Sequence, residues 1–193
     1  MSQTLIRRIL NKIFLSKKGK WDYEYSHGVW DFLDSELEKE RLKVLSKALE
    51  GCGKNQELLE IGCGEGILLQ FLPPDSFKKY WGLDISDWAI QKAKAKQFPR
   101  TEFISGDMEN FIPQPNMDTI LFNESIYYSK NPILLFNRYL KNLKPGGRIL
   151  TSIYENPQHL EWIGQFQKIQ RPIQSWSVEN EKGRWKIDLY LKG

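Results

Sequence analysis

The feature that most constrains this chain is a short apolar run that breaks into three alternating glycines, Leu58-Leu59-Glu60-Ile61-Gly62-Cys63-Gly64-Glu65-Gly66. The run reads as a buried strand. Glycines placed directly after it permit positive φ and let the backbone approach a ligand with no Cβ in the way. A dinucleotide fingerprint, Gly-x-Gly-x-x-Gly, needs its third glycine where this chain has Ile67. The spacing here is Gly-x-Gly-x-Gly, with Glu60 just ahead of it. An acid so close to the loop disfavours an anionic pyrophosphate and favours a cationic group such as an α-amino group or a sulfonium.

Around this loop, short apolar runs alternate with helical patterns. Strands are expected at Glu57–Ile61, Tyr80–Ile85, Glu102–Ser105, Asp118–Asn123 and Arg148–Tyr154. Between them helices are expected near Gly66–Phe71, Asp87–Lys96 and Pro132–Asn142, and a further helix, Ser35–Leu49, precedes the first strand with Leu37, Val44, Leu45, Ala48 and Leu49 on one face. Such alternation means a mostly parallel sheet covered on both faces. The tail departs from the rhythm: a helix at Pro157–Ile169 leads to two strand-like runs, Ile173–Glu179 and Arg184–Leu191, read as an antiparallel hairpin at the sheet edge. Leu143-Lys-Pro-Gly-Gly ends a helix and turns into the fifth strand at Arg148.

A chain of 193 residues, 40% hydrophobic and 27% charged, suits one soluble globular core and is short for two. No apolar run approaches the roughly 20 residues needed to cross a bilayer, and Cys52 and Cys63 offer no disulfide framework, so a cytoplasmic location is expected. The net charge of +4 is unevenly placed. Residues 1–20 hold six basic residues and no acid, while the remainder carries 22 basic and 24 acidic side chains. The organisation expected is therefore a basic amphipathic segment, residues 1–20, ahead of a domain at 21–193. Residues 4–15 have the spacing of a helix that could pack on its own domain or touch a membrane surface or a partner. A nucleic-acid surface would need its basic excess on the folded domain, so no nucleic-acid partner is expected. No His, Cys and carboxylate cluster suggests a metal.

The ends of the strands carry the chemistry, because open parallel sheets bind ligands at the carboxyl ends of their strands. Asp84, in Trp81-Gly-Leu-Asp-Ile-Ser86, stands where an acid can accept from both hydroxyls of a ribose. Asp87 is the better placed helix cap, which leaves Asp84 free for that role. Asp107 in Ser105-Gly-Asp-Met108 suits an amino group of a base, with Met108 on the ring. The fourth strand exits into Asn123-Glu124-Ser-Ile-Tyr127-Tyr128.

These segments, in this order, resemble class I S-adenosylmethionine-dependent methyltransferases from about residue 20 onward. The resemblance implies a Rossmann-like, seven-stranded, mostly parallel sheet of order 3-2-1-4-5-7-6 with strand 7 antiparallel. It implies that Glu60, Gly62, Cys63 and Gly64 hold the methionine part of S-adenosyl-L-methionine, Asp84 and Ile85 the ribose, and Asp107 and Met108 the adenine, with Asn123 nearby. Bacterial small-molecule methyltransferases similar to the nodulation N-methyltransferase carry an Asn/Ser-Glu-x-x-Tyr-Tyr block, matched by Asn123–Tyr128. They also carry a Tyr-Asp-x-x-Tyr-x-x-Gly-x-Trp stretch, matched here by Asp22, Tyr25, Gly28 and Trp30 with Trp21 in place of the leading Tyr. Residues from Trp21 to Phe32 would form a lid, Tyr25 and Trp30 included. A substrate amine or hydroxyl must lose a proton; Glu124 is the first candidate for that base, with Tyr128, Tyr25 and His27 behind it. A surface role is expected for His159. The acceptor is expected to be a small molecule; strand 4 lacks the Asn/Asp-Pro-Pro-Tyr/Phe ending associated with planar nitrogens. Two alternatives stay open: a nucleotide-binding oxidoreductase, and a non-catalytic cofactor-binding protein acting through partners.

Overall fold

The computed structural model describes residues 16–113 and 117–193. The amphipathic stretch at 4–15, with its expected membrane or partner contact, lies outside the described residues. Seven strands form one sheet of order β3-β2-β1-β4-β5-β7-β6. In chain order they are β1 (Gln56–Ile61), β2 (Phe77–Asp84), β3 (Thr101–Ser105), β4 (Met117–Asn123), β5 (Leu143–Tyr154), β6 (Pro172–Asn180) and β7 (Gly183–Leu191). The ladders from β3 through β5 are parallel, while β7 runs antiparallel to both β5 and β6. The sequence-based sheet order and the terminal hairpin are both found.

The helices are α1 (Lys17–Ser26), α2 (Glu36–Glu50), α3 (Asp87–Ala95), α4 (Pro132–Asn142) and α5 (Pro157–Ile169). None is long and apolar enough to cross a membrane. Side chains of a strand alternate between faces, so Leu58 joins one core and Leu59 the other. The first core is built with Leu45 and Leu49 of α2 and Ile90 of α3; the second takes Phe136 and Tyr139 of α4 and Phe166 of α5. Asn131 and Asn156 open the last two helices, each side-chain oxygen accepting from an N–H one turn in, with Pro at the first helical position.

Four local readings change. The helix expected near Gly66–Phe71 is a single 3-10 turn, Ile67–Gln70, because Pro73 and Pro74 follow too soon for an α-helix to propagate. The cap of α3 is Ser86, whose Oγ accepts from Ala89 N–H, and Asp87 lies inside the first turn. The pairing of β5 begins at Leu143, opposite Met117, and its register shifts before resuming at Arg148 opposite Thr119. The inner face of α2 is formed by Glu38, Arg41, Leu42, Leu45 and Leu49, and Leu37 and Val44 are only half-buried. A buried acid and base can share that face because each neutralises the other.

β2 has a glycine at its centre for a packing reason. A Cβ on Gly82 would lie 2.7 Å from the Phe103 ring and 2.8 Å from Cys63 Sγ in the glycine loop. Overpacking of this kind costs about 1–3 kcal/mol. Gly82→Ala is expected to lower the unfolding free energy by that amount, seen as a lower urea midpoint at constant m-value; an unchanged midpoint would show that the loop yields freely.

Candidate functional site

The carboxyl ends of β1 to β4 open on one side into a cavity of about 630 Å³. Its floor is the glycine loop. Gly62 and Gly64 hold φ of 76° and 52°, a region that L side chains rarely adopt. Space is also closed to them: a Cβ at Gly62 would meet Ser125 Cβ at 2.4 Å, and one at Gly64 would meet the Tyr25 hydroxyl at 2.8 Å. The loop is pinned sideways to β2, with the N–H groups of Gly62 and Cys63 both donating to Leu83 O.

Asp84 ends β2, buried, and fastens the loop. Its Oδ2 accepts from Gly64 N–H and its Oδ1 from Ser86 N–H, both at 2.9 Å. Burial pushes its pKa up, and these two N–H groups oppose the shift. Ile85 N–H also favours the ionised carboxylate, and with about four acceptor sites the group keeps capacity for a ligand hydroxyl. Ile85 and, at the end of β3, Asp107 and Met108 continue the same wall. Asp107 Oδ1 accepts from Glu109 N–H at 3.0 Å and has Lys17 Nζ at 3.8 Å.

The roof comes from the N-terminal aromatics. Trp21 stacks on Trp30 at 5.2 Å and meets Tyr128 edge-on at 4.8 Å, while Tyr25 lies buried against Gly64. Asp22, on α1, receives Ser86 Oγ–H at 2.7 Å and Trp88 N–H at 3.2 Å, so it helps cap α3 and ties the roof to the β2 end. His27 faces elsewhere. It is exposed, stacks on Tyr23 at 3.9 Å, places Nδ1 2.8 Å from Tyr23 O, and is not on the cavity wall.

Beneath the wall runs a buried polar network. Arg41, 3% exposed, donates from Nε and Nη2 to Glu38 Oε2, and from Nη1 to Asn123 Oδ1 at 2.5 Å and to Ser152 Oγ at 3.3 Å. Asn123 Nδ2 donates to Glu60 Oε1 at 2.8 Å, and Tyr80 Oη donates to Glu60 Oε2 at 2.5 Å. Glu60 is 1% exposed and off the cavity wall, so it reaches the site through Asn123. Burial raises its pKa to about 7 against the bonds from Tyr80 and Asn123 and the charge of Arg41. Glu124 sits on the wall at φ 52°, a strained conformation for a residue with a Cβ. Its Oε1 accepts from Ser152 Oγ–H, and its Oε2 from Tyr127 Oη–H and Tyr154 N–H. Burial raises its pKa, opposed first by Arg41.

The structure thus brings Gly62, Cys63, Gly64, Asp84, Ile85, Asp107, Met108, Asn123, Glu124, Tyr128, Tyr25 and Trp30 to one cavity, and leaves Glu60 and His27 off its wall. Sequence reading missed Arg41 and assigned His159 to the surface. His159 lines the cavity, its ring parallel within 21° to Tyr127 at 4.3 Å and to Trp162 at 5.4 Å. Among the described residues no group of three or more His, Cys, Asp or Glu could hold a metal ion.

A family model described as a methyltransferase domain matches residues 29–188. Malonyl-[acyl-carrier protein] O-methyltransferase 1 of Ilyobacter polytropus is 32% identical over 130 residues, 66% of this chain and 48% of its own length. Trans-aconitate 2-methyltransferase of Rhizobium rhizogenes is 26% identical over 110 residues, 53% of this chain and 41% of its own. The chain spans about half the length, or less, of these curated relatives. Among solved structures, N-methyltransferase NodS from Bradyrhizobium japonicum, in complex with S-adenosyl-L-homocysteine, superposes with a TM-score of 0.74 at 18% identity, covering 96% of this chain and 97% of that one. The 1,6-didemethyltoxoflavin-N1-methyltransferase of Burkholderia thailandensis gives 0.75 at 14% identity, covering 96% and 89%. At these identities the likeness is one of fold.

Two consequences of the network can be measured. Arg41→Ala strands Glu38 and Asn123 in the interior and is expected to cost about 3–5 kcal/mol in denaturant unfolding. Arg41→Met combined with Glu38→Leu should cost less, and equal losses would remove the ion pair from the account. Glu60 has a folded pKa above its ordinary 4.5, so the folded state binds the extra proton between the two values. Stability from this group is greatest at low pH and falls as pH rises from about 4.5 to about 7, by up to about 3 kcal/mol. Glu60→Gln should flatten that slope relative to the unaltered chain; parallel profiles for the two would show that Glu60 is ionised throughout.

Proposed function

The chain belongs to the methyltransferase domain family, and from that premise we propose that it moves the methyl group of S-adenosyl-L-methionine to a nitrogen or oxygen of a small-molecule acceptor. The observation that carries this reading is the convergence of Asp84, Asp107 and the Gly62–Gly64 loop on one cavity. Three successive strands deliver an acid, an acid and a bare backbone to a space of about 630 Å³, within the roughly 300–1,000 Å³ range of small-ligand sites. The chemistry of the wall fits the cofactor. Asp84 keeps acceptor capacity beyond its backbone donors for the ribose hydroxyls, and Asp107 with Met108 suits the adenine amino group and ring. The glycine loop, with Cys63 and Asn123 beside it, would hold the methionine part. Glu60 contributes indirectly by fixing Asn123.

When bound, the cofactor supplies a methyl group already activated on a sulfonium. What remains for the chain is alignment and removal of water. Tyr25, Trp21 and Trp30 cover the loop and shed solvent from it. Glu124, at the edge of that covered region, holds Tyr127 and stands close enough on the wall to orient a positively charged acceptor, and Tyr128 closes the same side. The names of similar proteins divide between an oxygen acceptor and two nitrogen acceptors. A wall with seven Asp and Glu side chains is a poor surface for a nucleic acid. We take residues 21–193 as the methyltransferase domain, although α1 begins at Lys17, with Lys17 and Lys18 already in contact with it.

Because Asp84 also holds two backbone N–H groups, its removal would loosen the loop as well as the ligand. Asp84→Asn keeps one acceptor oxygen and the shape. It is expected to weaken S-adenosylmethionine binding at least tenfold in calorimetry, with a smaller loss in thermal stability. Unchanged affinity would take Asp84 out of the cofactor site, and NAD binding in place of S-adenosylmethionine would overturn the reading.

A further inference from the structure

Past Glu124 the cavity wall carries two groups of flat side chains. Tyr127 lies 4.6 Å from Tyr128 and 4.3 Å from His159, and Tyr154 lies 5.5 Å from Trp185. His159 and Tyr154 are joined by a hydrogen bond at 2.7 Å, and all five rings border the cavity. Cations are scarce there in the sense that matters to a ligand. Lys17 faces Asp107, Arg41 and Lys182 both serve Glu38, and Lys96 Nζ donates to Glu65 O. A carboxylate acceptor would compete with the acids that Lys17, Arg41 and Lys182 already face, and would meet the other acids of the wall. A flat neutral ring can meet the parts of this wall that stay accessible, Tyr128 at 40% exposure and the half-buried Tyr154.

The same stretch holds an imidazole nitrogen that no described residue bonds. His159 Nδ1 faces Tyr154 O, and a carbonyl oxygen only accepts, so Nδ1 carries the hydrogen. In the neutral ring the lone pair then sits on Nε2, which has no partner among the described residues. The ring cannot easily turn away. Its backbone N–H is tied to Asn156 Oδ1 at 2.8 Å, and Tyr127, itself held by Glu124, lies against its face. Glu124 already receives three donors, and His27 is off the wall.

We propose that this stretch binds a flat aromatic acceptor bearing an ionisable hydroxyl, and that His159 Nε2 takes the proton of that hydroxyl during methyl transfer. The proposal rests on the methyl-transfer reading above. The hydroxyl O–H bond breaks toward Nε2, giving an imidazolium. An oxygen lone pair forms the new bond to the methyl carbon, and the electrons of the broken carbon–sulfur bond stay on sulfur. Charge balances: a neutral acceptor and a sulfonium become a neutral ether, a thioether and a protonated His159.

The test uses the full chain, S-adenosylmethionine and a series of para-substituted phenols from 4-methoxyphenol to 4-nitrophenol, with trans-aconitate as the acid comparator. S-adenosylhomocysteine formation is the readout. The unaltered chain should turn over the phenols and not the acid. His159→Asn keeps a donor for Tyr154 O but has no base. Its kcat on the least acidic phenol should fall about 100-fold or more, and the loss should shrink steadily toward 4-nitrophenol, which ionises without help. Its affinity for S-adenosylmethionine should stay within about twofold. His159→Gln, which carries its amide farther out, should show the same trend and guards against a folding defect peculiar to one variant. A loss equal across the series would make His159 a positioning residue. Turnover of trans-aconitate with no phenol methylated, while S-adenosylmethionine binds normally, would overturn the acceptor class. No S-adenosylmethionine binding by the unaltered chain would overturn the methyl-transfer reading and this proposal together.

Discussion

A guanidinium with almost no access to water must find acceptors across its whole plane, or the fold that buries it is lost. Arg41 meets that demand with three different parts of the molecule: Glu38 on its own helix, Asn123 at the end of β4, and Ser152 on β5. The consequence is positional. Helix α2 can dock on the sheet in only one rotation and one axial register, because a shift of one residue would leave the charge facing Leu and Ile side chains. Asn123 is fixed by donating to Glu60 while accepting from Arg41, and Ser152 passes the constraint on to Glu124. The end of β4, where an acceptor is expected to react, is therefore set by electrostatics two layers below the surface.

The glycine loop is held by a second, independent device. Backbone N–H groups directly after a strand have no ladder to join, and a buried one needs a partner. Leu83 O takes two of them, and Asp84 takes the next together with the first N–H of the following turn. One carboxylate thus sets the distance between the ends of β1 and β2 while presenting its free lone pairs to the cavity. Structural and ligand roles coexist at Asp84 because a carboxylate accepts at more sites than the backbone here uses. Asp22 does the equivalent for the roof, since by capping α3 it makes the position of Trp21 and Tyr25 depend on the same β2 end.

These devices differ in how far sequence reveals them. The alternation of strands and helices followed from the rhythm of apolar runs, and Asp84 and Asp107 stood out by their place at strand ends, because both depend on local patterns; the sheet order came from the family resemblance. Glu60 lies off the cavity wall for a reason that parity makes readable: side chains two apart share a face, so Glu60 follows Leu58 to the side of the sheet that α2 covers. His27 could have been set aside on similar grounds. Trp21 and Tyr25 are four residues apart on α1, as are Tyr23 and His27, and the two pairs fall on different faces. Arg41 and His159 gave no such signal. Charged helical residues are ordinarily at the surface, and the partners that make Arg41 an interior residue lie 82 and 111 positions away. His159 turns inward because Asn156 caps α5 and Tyr154 O anchors the ring, a geometry that exists only after β5 and α5 have met.

The charge of the cavity follows from the same architecture. Asp84 and Glu124 are both carboxylates whose pKa burial raises, and each is kept on the wall by donors that favour its ionised form. Arg41 lowers the pKa of Glu124 but donates its hydrogen bonds to Glu38, Asn123 and Ser152. The wall therefore has an unmet preference for positive charge, strengthened wherever the aromatic roof excludes water and lowers the local dielectric. A cationic ligand satisfies that preference twice. It gains the attraction of the ionised acids, and in doing so it draws their pKa values back toward the ordinary range, so that binding and ionisation reinforce each other. An anionic ligand meets the opposite coupling, since it would push both acids to take up protons before it could enter. The preference for a sulfonium-bearing cofactor over a pyrophosphate-bearing one thus belongs to the whole floor of the cavity, and a neutral ring beside His159 is the kind of acceptor that leaves that field undisturbed.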